Sequence, residues 1–377
     1  MRVCAVICEY NPFHLGHAYH LRAAREASGA DYVLCLMSGA LTQRGAFARH
    51  DKWLRARAAL ENGADLVLEL PTRFACAPAP DFASGGVALL SALGVATHLS
   101  FGCESSALPL LSAAAALFKA ESPAFSAALR ARLADGLPYP RARALAAEQA
   151  AGLSAALLAQ PNAALALEYL QALPPEIAPV PVERRGSGYH DAALSSLSSA
   201  TAVRAPAPLQ AAEARGFVHE EEALTQALLY RLRTASPDAL AALYSMAEGL
   251  ERRFLAAAQT CASREALLDF VKTKRYTRAR LSRLCAYALL DLSRDFAQAH
   301  RTPEYARVLG FRRSAAPLLK AVKRRSAIPL VTKAADFDRA HPLFVLDVRA
   351  QDLWSLGVSN PALRSSGRDF TTSPILV

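Results

Sequence analysis

Long apolar runs are missing from this sequence. None approaches the roughly 20 residues that a membrane-spanning helix needs, so the 53% of hydrophobic side chains read as a buried core. No two of the seven cysteines form a CxxC pair, and Cys4 and Cys8 have no second ligand pair nearby. They read as reduced, buried thiols, and no metal site is expected. The P-loop string (GxxxxGK followed by Ser or Thr) and the GxGxxG string are both absent. A P-loop or dinucleotide-type phosphate cradle is thereby excluded. Only 20% of residues are charged and no polar low-complexity tract occurs, which argues against wholesale disorder. No secretory leader is visible, since Met1-Arg2 runs straight into a strand-like segment. A reducing, cytoplasmic setting is expected.

What is present is an uneven positive charge. The total is +10, yet residues 1–205 carry 17 Lys and Arg against 16 Asp and Glu, while residues 206–377 carry 26 against 17. A polyanionic partner docking on the second half explains that asymmetry. The bland alternative is a basic, solvated surface.

The first hundred residues alternate strand-like and helix-like stretches. Strands are predicted at Arg2–Ile7, Tyr32–Met37, Leu66–Leu70 and Thr97–Phe101, with helices at Gly16–Ala27, Asp51–Asn62 and Asp81–Leu93 between them. Such alternation means an α/β fold with a Rossmann-like parallel sheet covered on both faces. Residues 106–172, rich in Ala and Leu, are predicted helical. Pro179–Arg185 is a further strand candidate. Pro206 and Pro208 mark the expected boundary between a domain at 1–205 and a mostly helical basic C-terminal domain at 206–377. Within the latter, the apolar run Leu343–Val348 reads as a strand.

The strongest signal is Glu9-Tyr10-Asn11-Pro12-Phe13-His14-Leu15-Gly16-His17, placed where the first strand ends and the first helix begins. Ligands of parallel sheets bind at the carboxyl ends of strands. A helix N-terminus there offers unpaired N–H groups to a phosphate. His14 and His17 are three apart, so both rings face one way on a first turn. Gly16 between them allows close approach to the backbone. Two imidazoles so placed can stabilise negative charge growing on an α-phosphate during in-line displacement. The plain alternative is a pair of structural histidines, and His20, one turn on, fits that alternative better. A second phosphate element is Ser198-Ser199-Ala200-Thr201-Ala202-Val203-Arg204. The Ser199 and Thr201 hydroxyls and the forked Arg204 guanidinium suit the outer phosphates of ATP; alone, the segment is equally an N-cap with a surface arginine.

Together, an N-terminal HxGH and a downstream SSxTxxR resemble the nucleotidylyltransferase superfamily. The longer strings resemble one family in it, the bacterial tRNA(Met) cytidine acetate ligases. They are EYNPFHxGHxYH at Glu9–His20, MSGx3QRG at Met37–Gly45, a string at Asp51–Pro71, RRGSGYHD at Arg184–Asp191, SSATAVR at Ser198–Arg204, KRYTxxR at Lys274–Arg280 and RVLGF at Arg307–Phe311. The chain departs from the family pattern at Leu15, at Ala40 and Leu41, and in the Ala-Pro-Ala-Pro that follows Arg204.

The resemblance implies an ATP-dependent ligase that forms acetyl-adenylate and passes acetyl to the exocyclic amine of the wobble cytidine in elongator tRNA(Met). It implies ATP contacts from Ile7 and Cys8 through the motif to Ala18, Tyr19 and His20, and from Gly102, Asn162 and Arg184. His14, His17 and Arg204 would be catalytic, and Mg²⁺ would arrive with ATP. Without the family, Asn162 reads as a helix cap after Pro161. For the anticodon region of the tRNA, the candidates are Lys272, Lys274, Arg275, Arg278, Arg280 and Arg283, with Tyr276 as a stacking ring; a second basic tract runs from Arg312 to Arg325. Gln43, Arg44, Lys52 and Arg55 are candidates for nucleotide or RNA. Two other readings stay open: a small-molecule adenylyltransferase using the same histidines, and a non-catalytic RNA-binding protein on the same fold.

Overall fold

Six apolar residues, Val3–Cys8, form the central strand β1, and every later strand is positioned from it. In this computed structural model, residues 1–103, 108–183, 206–247 and 249–377 are described. β2 (Tyr32–Ser38), β3 (Leu66–Leu70), β4 (His98–Cys103) and β5 (Ala178–Glu183) follow in chain order. All pair in parallel, from Val3↔Tyr32 to Cys8↔Met37 between β1 and β2. The expected strands lie within two residues of these.

The sheet continues past β3 with strands from the last eighty residues. β6 (Ala306–Phe311) pairs antiparallel to β3, while β7 (Leu330–Val331) and β8 (Ile375–Leu376) both pair with β6. The order is β5-β4-β1-β2-β3-β6-β7, so the sheet draws on chain from both sides of residue 205. β6 coincides with the RVLGF string.

Helices cover both faces. On one face α1 (Leu15–Ser28) and α2 (Lys52–Glu61) bury Leu21, Ala24, Trp53, Ala56 and Leu60 against Cys4, Val6, Val33 and Cys35. α1 ends at Gly29, whose φ of 58° is the left-handed cap that glycine adopts without strain. The other face carries α3 (Thr72–Ala75) and α4 (Ala79–Leu93). The Ala/Leu-rich region folds there as α5 (Leu108–Lys119), α6 (Pro123–Ala134), α7 (Tyr139–Ala151), α8 (Ala155–Leu158) and α9 (Pro161–Ala172). Their leucines and alanines share one core with Leu34, Leu36, Leu68 and Leu99 of the sheet.

A third core lies in the helices between Thr225 and Leu290. It joins Leu228, Leu250, Phe254, Leu268 and Leu284 to Leu41 and Phe47 of the N-terminal half. One expectation fails here. Leu343–Val348 is not a strand but part of the helix Pro342–Leu356, which buries Leu343, Phe344, Leu346 and Trp354. A short apolar run fits a buried helix as well as a strand, and Pro342 in the first turn is the helix signal. No helix of the described residues is long and apolar enough to cross a membrane.

Candidate active site

At the carboxyl end of β1 the chain turns through Glu9–Phe13. Tyr10 takes a φ of 51° and the Asn11–Pro12 peptide is cis. His14 then caps α1. Its Nδ1 accepts the Gly16 N–H at 3.1 Å, and the Nδ1 of His17 accepts the His14 N–H at 3.2 Å. The pair is a capping box built from imidazoles instead of hydroxyl and carboxylate. Because both Nδ1 atoms accept, each neutral ring carries its proton on Nε2. The rings stack with centroids 3.6 Å apart and planes 24° apart. Tyr10 and Phe13 buttress His17 at 4.9 and 5.5 Å. This packing fixes both imidazoles before any ligand arrives.

Both rings line a cleft of about 1830 Å³. Of the other expected nucleotide contacts, Ile7, Cys8, Glu9, Tyr10, Asn11, Pro12, Gly16, Tyr19, His20, Gly102 and Asn162 line it as well. Phe13, Leu15 and Ala18 do not: Phe13 is 1% exposed in the core behind the motif, and Leu15 is half-exposed. His20 is braced by Ser100 Oγ at 3.0 Å. Asn162 lies in the first turn of α9, with Gln160 and not Asn162 at the cap position. Arg184, Ser199, Thr201 and Arg204 lie outside the described residues.

The opposite half of the chain supplies another wall. Arg275, Arg280, Arg283 and Arg294 line the same cleft, together with Ser245, Met246 and Ala247. Lys272, Lys274 and Arg278 do not. Arg278 pairs instead with Asp269 at 2.6 Å and with Glu265. One expectation for the basic segment needs correction, and one candidate has a structural bond as well. Tyr276 is not an open stacking ring: it is 6% exposed, with Arg280 over its face at 5.0 Å. Arg283 is buried and donates to the Gln43 carbonyl at 2.8 Å, which fastens the 42–46 loop to the helix Arg278–Leu290.

Lys52 and Arg55 also proved structural. The ammonium of Lys52 is fully buried against Glu69 at 2.8 Å and Asp369 at 2.8 Å. Arg55, fully buried, donates to the carbonyls of His50, Glu9, Ser38 and Gly39 and so ties the motif loop to β2. Burial pulls its pKa down to about 10. Gln43 and Arg44, by contrast, do line the cleft.

Glu9, an expected nucleotide contact, also has a structural role that the sequence did not reveal. Its carboxylate accepts the Gln43 N–H at 2.5 Å, pinning the 42–46 loop beside the histidines. Burial raises its pKa, against the pull of the Gln43 N–H, Arg55 and Arg44. Burial also holds the Cys8 thiol and the Tyr10 phenol well above their ordinary values, so both stay uncharged at neutral pH. The cleft thus presents imidazoles and arginines but no thiolate at Cys8. Among the described residues, no group of three or more His, Cys, Asp or Glu side chains is arranged to hold a metal ion. 

A parallel sheet with stacked imidazoles capping its first helix, at the mouth of a large cleft walled by arginines, defines a nucleotidyl transferase. The family model described as HIGH Nucleotidyl Transferase matches residues 1–369. The tRNA(Met) cytidine acetate ligase of Syntrophomonas wolfei is 36% identical over 413 residues, covering 100% of this chain and 99% of the relative. That of Acetivibrio thermocellus is 34% identical with full coverage of both. The crystal structure of Thermotoga maritima TmcAL bound with alpha-thio ATP superposes with a TM-score of 0.89 at 30% identity, covering all of both chains. Its apo form gives 0.87. The chain belongs to the tRNA(Met) cytidine acetate ligase family.

Proposed function

We propose that this protein is an ATP-dependent ligase acting on acetate and elongator tRNA(Met). In the first step an acetate oxygen bonds to the α-phosphorus of ATP. The bond from that phosphorus to the β-bridging oxygen breaks, and pyrophosphate leaves. The Nε2–H groups of His14 and His17 and the N-terminus of α1 stabilise the charge that grows on the α-phosphate. Ser199, Thr201 and Arg204 hold the departing pyrophosphate, and Gly102, Asn162 and Arg184 seat the nucleoside. Mg²⁺ accompanies the triphosphate. In the second step the exocyclic amine of the wobble cytidine attacks the acetyl carbon. The acyl–oxygen bond breaks, AMP leaves, and the amine loses a proton. An anticodon loop presents that base at little unstacking cost.

The observation that carries this reading is the shared cleft. The stacked, Nδ1-accepting histidine pair and the C-terminal arginines Arg275 and Arg280 line one cavity, so nucleotide chemistry and a polyanion meet at one place. A transfer RNA substrate also accounts for the +10 charge and for a cytoplasmic location. The test is mass analysis of tRNA after incubation with the protein, ATP and isotopically labelled acetate. Label on a single anticodon cytidine is expected. Unlabelled tRNA, with pyrophosphate released only on adding a phosphorylated small molecule, would mean a different adenylyltransferase.

A further inference from the structure

With Tyr276 buried, the described residues of the basic wall offer no aromatic face of the kind on which single-stranded RNA bases commonly stack. Most aromatic rings lining the cleft cannot supply it. Tyr10, Phe82, Phe101 and Tyr169 are all at most 4% exposed. Two rings are more open: Tyr19, partly exposed on α1 within the histidine motif and faced by Arg22 at 5.9 Å, and Tyr139, which is half-exposed and lies outside that motif while still lining the cleft.

Its surroundings are built rather than loose. It opens α7 between Pro138 and Pro140, two residues whose rings fix φ and leave the backbone little freedom. The guanidinium of Arg143, one turn on, lies 5.6 Å from the Tyr139 ring centroid and 4.6 Å from that of Phe118. Arg143 is held by Glu168 at 2.7 Å, and Gln171 donates to the other oxygen of that carboxylate at 3.3 Å. Thus an arginine anchored by a buried carboxylate supports the ring. The flanking prolines present it to a cavity larger than the several hundred cubic ångströms that a small ligand fills.

We propose that Tyr139 is a stacking platform for a nucleobase of the RNA substrate. The base lies on the ring, and its phosphodiester backbone runs towards Arg275 and Arg280. The inference rests on the function proposed above. The RNA and not the adenine of ATP is the assigned occupant, because a half-exposed ring suits a ligand that stays largely outside the protein.

The experiment compares the parent with Tyr139→Ala, Tyr139→Leu and Tyr139→Trp in steady-state acetylation, varying tRNA and ATP separately. For the Ala and Leu variants, the KM for tRNA is expected to rise about tenfold, which is about 1.4 kcal/mol. The KM for ATP should change less than twofold, and Tyr139→Trp should keep the parent's KM for tRNA. Leu retains apolar bulk without a π face, so a merely structural role predicts that it behaves like the parent. An unchanged KM for tRNA in both Ala and Leu overturns the proposal. A rise confined to the KM for ATP reassigns the ring to adenine and overturns it equally. If the parent itself transfers no acetyl group to tRNA, the function proposed above fails first and this inference with it.

Discussion

Replacing Gly45 by alanine tests how the two halves of the cleft are joined. Gly45 takes a φ of 80°, and a Cβ there would lie 2.3 Å from the backbone nitrogen of Arg283 and 2.5 Å from its Cα. The left-handed backbone alone costs an alanine about 1–2 kcal/mol. Relief of the clash requires a shift of about 1 Å against the backbone of a helix, which adds about 1–3 kcal/mol. The loop, not the helix, should move. It then loses the Arg283 bond to the Gln43 carbonyl at 2.8 Å and the Ser282 bond to the Gly45 carbonyl at 3.0 Å. With them goes the seat of Gln43 on Glu9. Gly136 is the control: its φ is 78° but nothing lies within 4 Å of its Cβ position, so Gly136→Ala carries only the backbone cost. Urea unfolding of the two variants isolates the steric part, with Gly45→Ala expected to be the less stable by about 1–3 kcal/mol. Acetate-dependent pyrophosphate exchange should show a raised KM for ATP in Gly45→Ala alone. Equal stabilities within 0.5 kcal/mol and equal KM values would refute the reasoning.

Two further substitutions probe the buried charges. Lys52→Met leaves Glu69 and Asp369 buried with only Arg307 to balance them. Removing one member of such a cluster costs about 3–5 kcal/mol, read as a lowered urea midpoint, and a loss below 1 kcal/mol would contradict it. Burial pushes His219 down to about 4 from its ordinary value near 6.5. The unfolded chain therefore takes up this proton first on acidification. The stability due to neutral His219 is complete above pH 6.5 and is lost as the pH falls towards 4. Asp347, pushed up to about 7 by burial, works in the opposite sense and is common to both proteins compared. The parent should lose more stability than His219→Gln between pH 6.5 and 4 in chemical denaturation, and parallel curves would contradict this.

Local signals made much of the molecule legible. The apolar β1 followed by His14 and Gly16, the left-handed cap at Gly29 and the alternation through Phe101 were enough to define the parallel sheet and the mouth of its cleft. Periodicity failed where tertiary burial decides. Leu343–Val348 is apolar enough for a strand, yet it is a helix that buries Leu343, Phe344 and Leu346 and leaves Val345 exposed. Charge failed in the same way: Lys52 and Arg55 look like surface cations, but paired carboxylates and stranded carbonyls make them core residues. Tyr276 and Arg283 look open in the sequence but are buried, and Arg283 is fastened to the 42–46 loop, over two hundred residues away. Tyr139 carries no local pattern, and only the assembled cleft gives it a role; Glu9 opens the motif, but its hold on the 42–46 loop shows only in the fold.

The imidazoles are best tested with His17→Gln. At the third position of α1 a glutamine side chain can accept the His14 N–H as the ring does now at 3.2 Å, so the helix cap survives while the imidazole is lost. Acetate-dependent exchange of labelled pyrophosphate into ATP is predicted to fall about 10²–10³-fold, the usual effect of deleting one transition-state donor, with unfolding unchanged within about 1 kcal/mol. Exchange at the parent's rate would show that His17 does not act on the α-phosphate.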